Sequence, residues 1–463
     1  MQGWLFVNGA FWKDPQIKAL LPAVPKGKMI ILDLYSEQSP IFTRTESYYG
    51  QPFIWCMLHN FGGLNEMYGE LDKVNEGPFN GRNFPNSTMV GTGLTPEGIN
   101  QNEVMYEFMN EQAWRPGSVN TTEWIDLYQA QRYGGGDPKT SDLGLISGKA
   151  STLSTYLHYP RISTIHMGYD PEMLFKAWDN MVAATFTTPA LHAQTLFRYD
   201  LVDVSRNSLQ VLAIKYYSDV IAAYNKSDTA SLRSAGVKMI DLLSDLDTLL
   251  ATDVHFLLGT WTSDAARHFS TPQEKALYDY NSRNQVTLWG PSGQIMDYAC
   301  KIWSGLINRY YKPRWQLFIN TLINCTETKT SFDSGVYGQE VFDTVEIPFS
   351  YDQTDFPNEP EVQYSIEYKL LMFVFKAIHH QAPSYLEDLI HKYEPARSLR
   401  SSATLQLTVP RTRTVQFGDR SFIKAGPTLW NKLPQNFQTI TDFETFKREI
   451  KTPLFQRAYG LRL

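Results

Sequence analysis

Three continuous apolar runs near the start of the chain constrain its fold most: KMIILDLYSE (28–37), QPFIWCMLHNF (51–61) and STMVGTGLTPEG (87–98). Each ends in a polar, Gly-rich loop. Uninterrupted apolar strands, rather than alternating ones, belong to parallel sheets buried on both faces, as in (β/α) barrels and open α/β sheets. Such folds place their functional residues at the C-terminal ends of strands. The carboxylates there are Asp33, Glu37 and Glu97, with His59 and Asn60 in HNFGG.

From about residue 100 the period turns helical. Val104, Phe108 and Met109 share a face, and a second helix starts near Thr122 and stops at the glycines 134–136. Leu201, Leu212, Tyr216 and Val220 form one stripe, and Val237, Ile240, Leu243, Leu246 and Leu250 another; both read as core faces. STPQEKALYDY (270–280) opens with a capping Ser or Thr, then Pro and Glu. Residues 118–345 therefore read as an all-helical domain after a 1–117 barrel segment. The stretch 346–365, rich in Pro, Asp and Asn, reads as a linker.

Residues 366–463 differ in charge, with 15 Lys and Arg against 8 Asp and Glu in a chain whose net charge is −6. They are expected to hold a helix at 368–380, a short strand at 403–410 and a helix near 441–450. The full expectation is a partial (β/α)8 barrel, its last strands only, then an all-α domain and a small mixed, partly disordered tail.

Several function classes fall away. Three cysteines (Cys56, Cys300, Cys325) make no disulfide framework, and no Cys/His spacing suggests zinc. No apolar stretch is long enough to span a bilayer. No P-loop, nucleophile elbow or dinucleotide fingerprint is present. The opening MQGWLFVNGAFW does not read as a signal peptide, so no route into the secretory pathway is visible, although sequons stand at Asn86, Asn120, Asn225 and Asn324.

Glycoside hydrolysis uses two carboxyl groups, one as acid/base and one as nucleophile or base. Glu97, in GTGLTPEG after a strand, suits such a role. By position alone the better reading is a cap at the N-terminus of the next helix, where a negative charge is favoured. Asp33 and Glu37 read as structural partners of Arg44 or of nearby backbone. Trp289, beside a Gly/Pro turn in TLWGPSGQIMDYA, could serve as a sugar platform or as a packing contact between domains.

Longer strings settle the reading. QGWLF, VPKGKMIILDLYSEQSPIFTRTESYYGQPFIWCMLHNFGG, FPNSTMVGTGLTPEGINQNEV, FRYDLVDVSRNSLQVLA and NSRNQVTLWGPSGQIMDYA resemble the alpha-N-acetylglucosaminidase family in order and spacing, over residues 1 to about 345. The resemblance implies a lysosomal, retaining hydrolase that removes terminal alpha-linked N-acetylglucosamine from heparan sulfate. It implies a homo-oligomer, with no metal and no other cofactor. It makes Glu97 the nucleophile and Trp4, His59, Asn60, Trp289, Ile295 and Tyr298 substrate contacts. The family's acid/base lies in an Asn-Glu pair upstream of QGW, before Met1, so little or no activity is expected of this chain.

The tail, with YKLLMFVFKAIHHQAPSYLEDLI and LTVPRTRTVQFGDRSFIKAGPTLWNKLP, resembles the C-terminal end of non-LTR retrotransposon reverse transcriptases, without polymerase motifs. Its basic charge and Trp430 offer phosphate and stacking contacts to nucleic acid. A solvated remnant is the preferred reading. A carbohydrate-binding remnant using Trp4 and Trp289 is the alternative for the main body.

Overall fold

A computed structural model describes the chain except residues 2, 64–66, 99–101, 135–156, 164–168, 189, 192–193, 268, 361–364, 383–386, 388, 394–404, 411–421, 444 and 451–463. It divides into two compact units, Met1–Glu359 and Pro360–Leu463.

The first unit opens with a short helix, α1 (Asp14–Leu20), and a parallel sheet ordered β1 (Ile31–Asp33), β2 (Phe53–Met57), β3 (Met89–Leu94). The register pairs Ile31 with Phe53, Ile54 with Gly91 and Cys56 with Gly93. Helix α2 (Leu71–Arg82) crosses from β2 to β3, the connection that parallel pairing requires. Phe53, Trp55 and Met57 are buried on the helix side. A Cβ on Gly77 of α2 would stand 2.5 Å from the Trp55 ring, so glycine there lets helix and strand approach. The third strand departs from the expected burial. None of its residues is buried and Val90 is 61% exposed, because its glycines offer no side chain to pack and it pairs on one side only among the described residues.

Helix α3 (Glu103–Glu111) buries Met105, Phe108 and Met109, and α4 (Thr121–Arg132) is N-capped by Asn120. Then come α5 (Pro171–Thr187), α6 (Thr195–Asn225) and α7 (Thr229–Leu250). The last two are joined by three residues, and Asp228 caps α7 through the Ser231 amide, so they pack as neighbours. Leu243, Leu246 and Leu250 enter the core, but Val237 lies on the outer face at 59% exposure. The 3.6-residue period carries it off the buried stripe.

Helices α8 (Leu258–Ala266) and α9 (Pro272–Gln285) follow, the latter with a complete capping box between Thr271 and Glu274. A π-helical turn, Ile307–Tyr311, leads into α10 (Lys312–Thr328), which packs on α7 at Gly236. A second π turn, Phe342–Glu346, joins α11 (Ser334–Val341) to α12 (Ile347–Tyr351). Phe349 and Ser350 are buried, so the stretch read as a linker from 346 begins inside the helical body. The break between units, at 359/360, lies within that stretch. Barrel segment and helical body share one unit, tied by Lys301 of the helical body, whose Nζ donates to the Gly62 carbonyl of the barrel segment at 2.8 Å.

The second unit holds α13 (Ser365–Ile378), α14 (Phe422–Asn431) and α15 (Gln435–Gln438), with helical backbone at 445–450. The expected strand at 403–410 is one antiparallel bridge, Lys392 to Leu407, with 403–404 outside the described residues. Trp430 is fully buried beside Phe375 and Phe446, and its Nε1 donates to the Leu405 carbonyl at 2.8 Å. It is a core residue and not a stacking platform for nucleic acid. Among the described residues no helix is long and apolar enough to cross a membrane, and no group of three His, Cys, Asp or Glu could hold a metal.

Candidate active site

The strand-end carboxylates separate into two kinds. Asp33 and Glu37 are buried and bind backbone. Asp33 accepts from the amides of Ile41 and Phe42, both at 3.1 Å, and Glu37 from those of Leu58 at 3.0 Å and His59 at 2.6 Å. Burial pushes the Asp33 carboxyl up to about 6 and that of Glu37 to about 7, against the lowering effect of these amides. Arg44 is no partner to either: it donates to the carbonyls of Phe6 and Trp12 and lies 3.8 Å from Asp14.

Glu37 therefore fixes where the chain goes after β2. Its carboxyl keeps a proton in the folded chain over pH 4.5–7, where the unfolded group, at 4.5, has lost it. A raised carboxylate makes stability fall as pH rises through that window, by up to about 1.4 kcal/mol per pH unit. Glu37→Gln is expected to flatten this part of the slope in urea midpoints measured from pH 4.5 to 8, relative to the parent chain. Equal slopes would show that the carboxyl titrates normally.

Glu97 is the other kind. The Thr95 amide donates to the Met57 carbonyl at 3.0 Å and its hydroxyl to that of Leu34 at 2.9 Å, pinning the end of β3 against both neighbouring strands. Pro96 follows, and Glu97 stands exposed just past the strand end. Its Oε2 accepts from the Tyr298 hydroxyl and, at 3.4 Å, from the Gly62 amide. Glu97 does not cap the next helix; Asn102 does so, accepting from the Met105 amide.

His59 sits in the left-handed region at φ 67, with its ring 5.0 Å from Tyr68 and 5.8 Å from Tyr106. Burial lowers it to about 4, so the imidazole is neutral at neutral pH. Neither its Nε2 nor the Oδ1 of buried Asn60 has a hydrogen-bond partner among the described residues. Both residues are buried, so these two polar atoms stay unsatisfied inside the barrel segment.

The helical body supplies the other wall. Asn284 accepts from the Gly290 amide at 2.6 Å and donates to its carbonyl at 3.1 Å, holding Trp289 at φ 44. Asp297, at φ 59, is held by Arg314 Nη1 at 2.8 Å, while the Arg314 Nη2 lies 2.6 Å from Glu346. Between these anchors Trp289, Ile295 and Tyr298 are 36%, 46% and 40% exposed, and the Trp289 and Tyr298 rings meet edge to face at 5.8 Å. Burial pushes the Tyr298 phenol up to about 12, with Glu97 adding to it, so it stays a donor. Trp4 follows Gly3 in a 3-10 turn beside β1; its side chain lies outside the described residues.

Sequence reasoning missed the Gly62–Gly63 turn, Lys301 and the Asp297–Arg314–Glu346 triad. Lys301 Nζ donates to the Gly62 carbonyl at 2.8 Å across 239 residues of sequence, a contact that no local pattern announces.

Comparison with known proteins fits this geometry. Residues 1–116 match the alpha-N-acetylglucosaminidase TIM-barrel domain, and residues 146–372 match the C-terminal domain of the same family, running across the stretch read as a linker. Human alpha-N-acetylglucosaminidase is 40% identical over 375 residues, covering 78% of this chain and 50% of that protein. A family 89 glycoside hydrolase from Clostridium perfringens, in complex with GlcNAc-alpha-1,4-galactose, superposes with a TM-score of 0.67 at 27% identity, covering 78% of this chain and 42% of that one. The same bacterial hydrolase with PUGNAc gives a TM-score of 0.67 at 26% identity over the same shares. The chain thus spans about half the length of the human relative. Over residues 1–116 and 146–372 it belongs to the alpha-N-acetylglucosaminidase family.

Proposed function

We propose that this chain carries the nucleophile side of a retaining glycoside hydrolase acting on terminal alpha-linked N-acetylglucosamine, with Glu97 as the attacking carboxylate. The observation that carries this reading is the convergence of both walls on Glu97: the Gly62 amide from the barrel segment and the Tyr298 hydroxyl from the helical body address one oxygen. Trp289, Ile295, Tyr298, His59 and Asn60 form the sugar-facing surroundings, and Trp4 is assigned to them by its place in QGW. The wider reading follows the family: heparan sulfate as substrate, a lysosomal location and a homo-oligomer. Asn86, Asn120, Asn225 and Asn324 are all exposed, as glycosylation there requires.

A retaining pair needs a second carboxyl about 5–5.5 Å away to protonate the leaving group and activate water. Asp33 and Glu37, the other carboxylates at these strand ends, are buried and bound to backbone amides, which supports low turnover by these 463 residues alone. The test separates the two half-reactions. 2-Acetamido-2-deoxy-α-glucosyl fluoride needs little acid assistance: its C1–F bond breaks, fluoride leaves, and C1 bonds to the Glu97 carboxylate. We expect a covalent adduct on the Glu97 peptide by mass spectrometry, absent in Glu97→Gln, and slow release of a fluorogenic aglycone. An adduct on another residue, or aglycone release that survives Glu97→Gln, would refute the assignment. For residues 366–463 the reading is a remnant of a retroelement sequence with no nucleic-acid role. Salt-sensitive RNA binding that disappears on deleting those residues would count against it.

A further inference from the structure

Lys301 is 1% exposed and donates to the Gly62 carbonyl at 2.8 Å. Its own backbone is fixed as well: the Tyr311 hydroxyl donates to the Lys301 carbonyl at 3.0 Å, and the Lys301 amide donates to that hydroxyl at 3.3 Å. The two chain segments interleave so tightly that a Cβ on Gly62 would meet the Tyr298 carbonyl at 2.5 Å, and one on Gly63 the Cys300 amide at 2.5 Å. On the other side of the same residue, the Gly62 amide points at Glu97. Resting on the reading of Glu97 as nucleophile, we infer that Lys301 is a positioning residue: its ammonium clamps the Gly62 carbonyl, holding the Gly62–Gly63 turn so that the Gly62 amide addresses the attacking carboxylate.

An ammonium makes a charge-assisted hydrogen bond, stronger than a neutral amine's. Burial lowers Lys301 to about 8, so the clamp weakens as pH rises through that value. Among the described residues, the titratable groups facing it are Cys300, His158 and Tyr311. Burial raises the thiol and the phenol and lowers His158 to about 3, so none of them titrates near 8. The long amide contact to Glu97 is of the kind that tightens when substrate is bound.

The experiment uses the full chain with Lys301→Met, which keeps the length and removes the charge, and Lys301→Arg, which stays charged at all relevant pH. The rate of Glu97 labelling by the glucosyl fluoride is expected to decline in the parent chain as pH passes about 8. It should drop at least tenfold in Lys301→Met at pH 6.5 with no alkaline limb, and recover in Lys301→Arg, again without that limb. In parallel, hydrogen exchange of the peptide spanning 58–63 should lose protection in Lys301→Met while peptides of α6 and α7 keep theirs. Labelling in Lys301→Met with the parent's rate and pH profile overturns the clamp, as does an Arg variant that retains the limb near 8. Absence of an adduct in the parent chain instead refutes the nucleophile reading. The exchange arm then decides alone: unchanged protection in Lys301→Met overturns the clamp, and selective loss upholds it.

Discussion

Arg314→Leu is expected to destabilise the helical body by about 3–5 kcal/mol, read as a large fall in the urea midpoint. The guanidinium is fully buried between Asp297 and Glu346 and also donates to the His158 carbonyl at 2.8 Å and the Tyr310 hydroxyl at 2.5 Å. Removing it strands two carboxylates out of water, where an uncompensated charge costs several kcal/mol. Burial already holds both carboxyls above their ordinary range. Without the arginine they escape the penalty by taking up protons, so the deficit of the variant should shrink as pH falls from 8 to 5. Converting Asp297 to Asn and Glu346 to Gln in the Arg314→Leu background should recover much of the loss, because a buried ion network replaced as a set is far less costly than one broken singly. A deficit that does not vary with pH, or that the combined substitution leaves unchanged, would mean that the triad does not govern this core. Since Asp297 anchors the segment bearing Tyr298, the sugar-facing wall should loosen along with it.

Gly63→Val is expected to slow Glu97 labelling on the order of a hundredfold, the scale of a misplacement of about 1 Å at a reacting centre. The first added carbon alone would lie 2.5 Å from the Cys300 amide nitrogen and 2.6 Å from both its carbonyl oxygen and its Sγ. Backbone cannot yield as a flexible side-chain end does, so the turn itself must move. It takes with it the Gly62 amide that faces Glu97 and the carbonyl that receives Lys301. The global cost should be smaller, about 1–3 kcal/mol as for other overpacked sites, so a folded but unreactive chain is the expected result. A variant that labels at the parent rate would show that the close approach of turn and helical body is not needed for reaction.

What the sequence determined by itself is local. Apolar runs without alternation marked a parallel sheet because strand burial is written in consecutive residues, and β1, β2 and β3 lie within those runs. The Thr271–Glu274 capping box and the Asn120 cap satisfy amides only two or three residues away. The stripes at Leu243, Leu246 and Leu250 follow the helix's own period. Glu97 was legible as a strand-end carboxylate, and only the longer motifs chose between its two readings.

The tertiary structure decided what depends on partners distant in sequence. Val237 matched its stripe yet faces outward, and Trp430 looked like an exposed stacking surface yet fills a core, because exposure is set by what packs opposite. Asp33 and Glu37 resemble Glu97 in sequence. Burial against backbone amides makes them structural, whereas Glu97 receives its two donors from residues 35 positions before it and 201 after it. Arg314 joins Asp297 to Glu346 and Lys301 reaches Gly62 for the same reason. The strength of a buried charge and the fit of a glycine turn belong to pairs of surfaces, and no single stretch of chain contains both members.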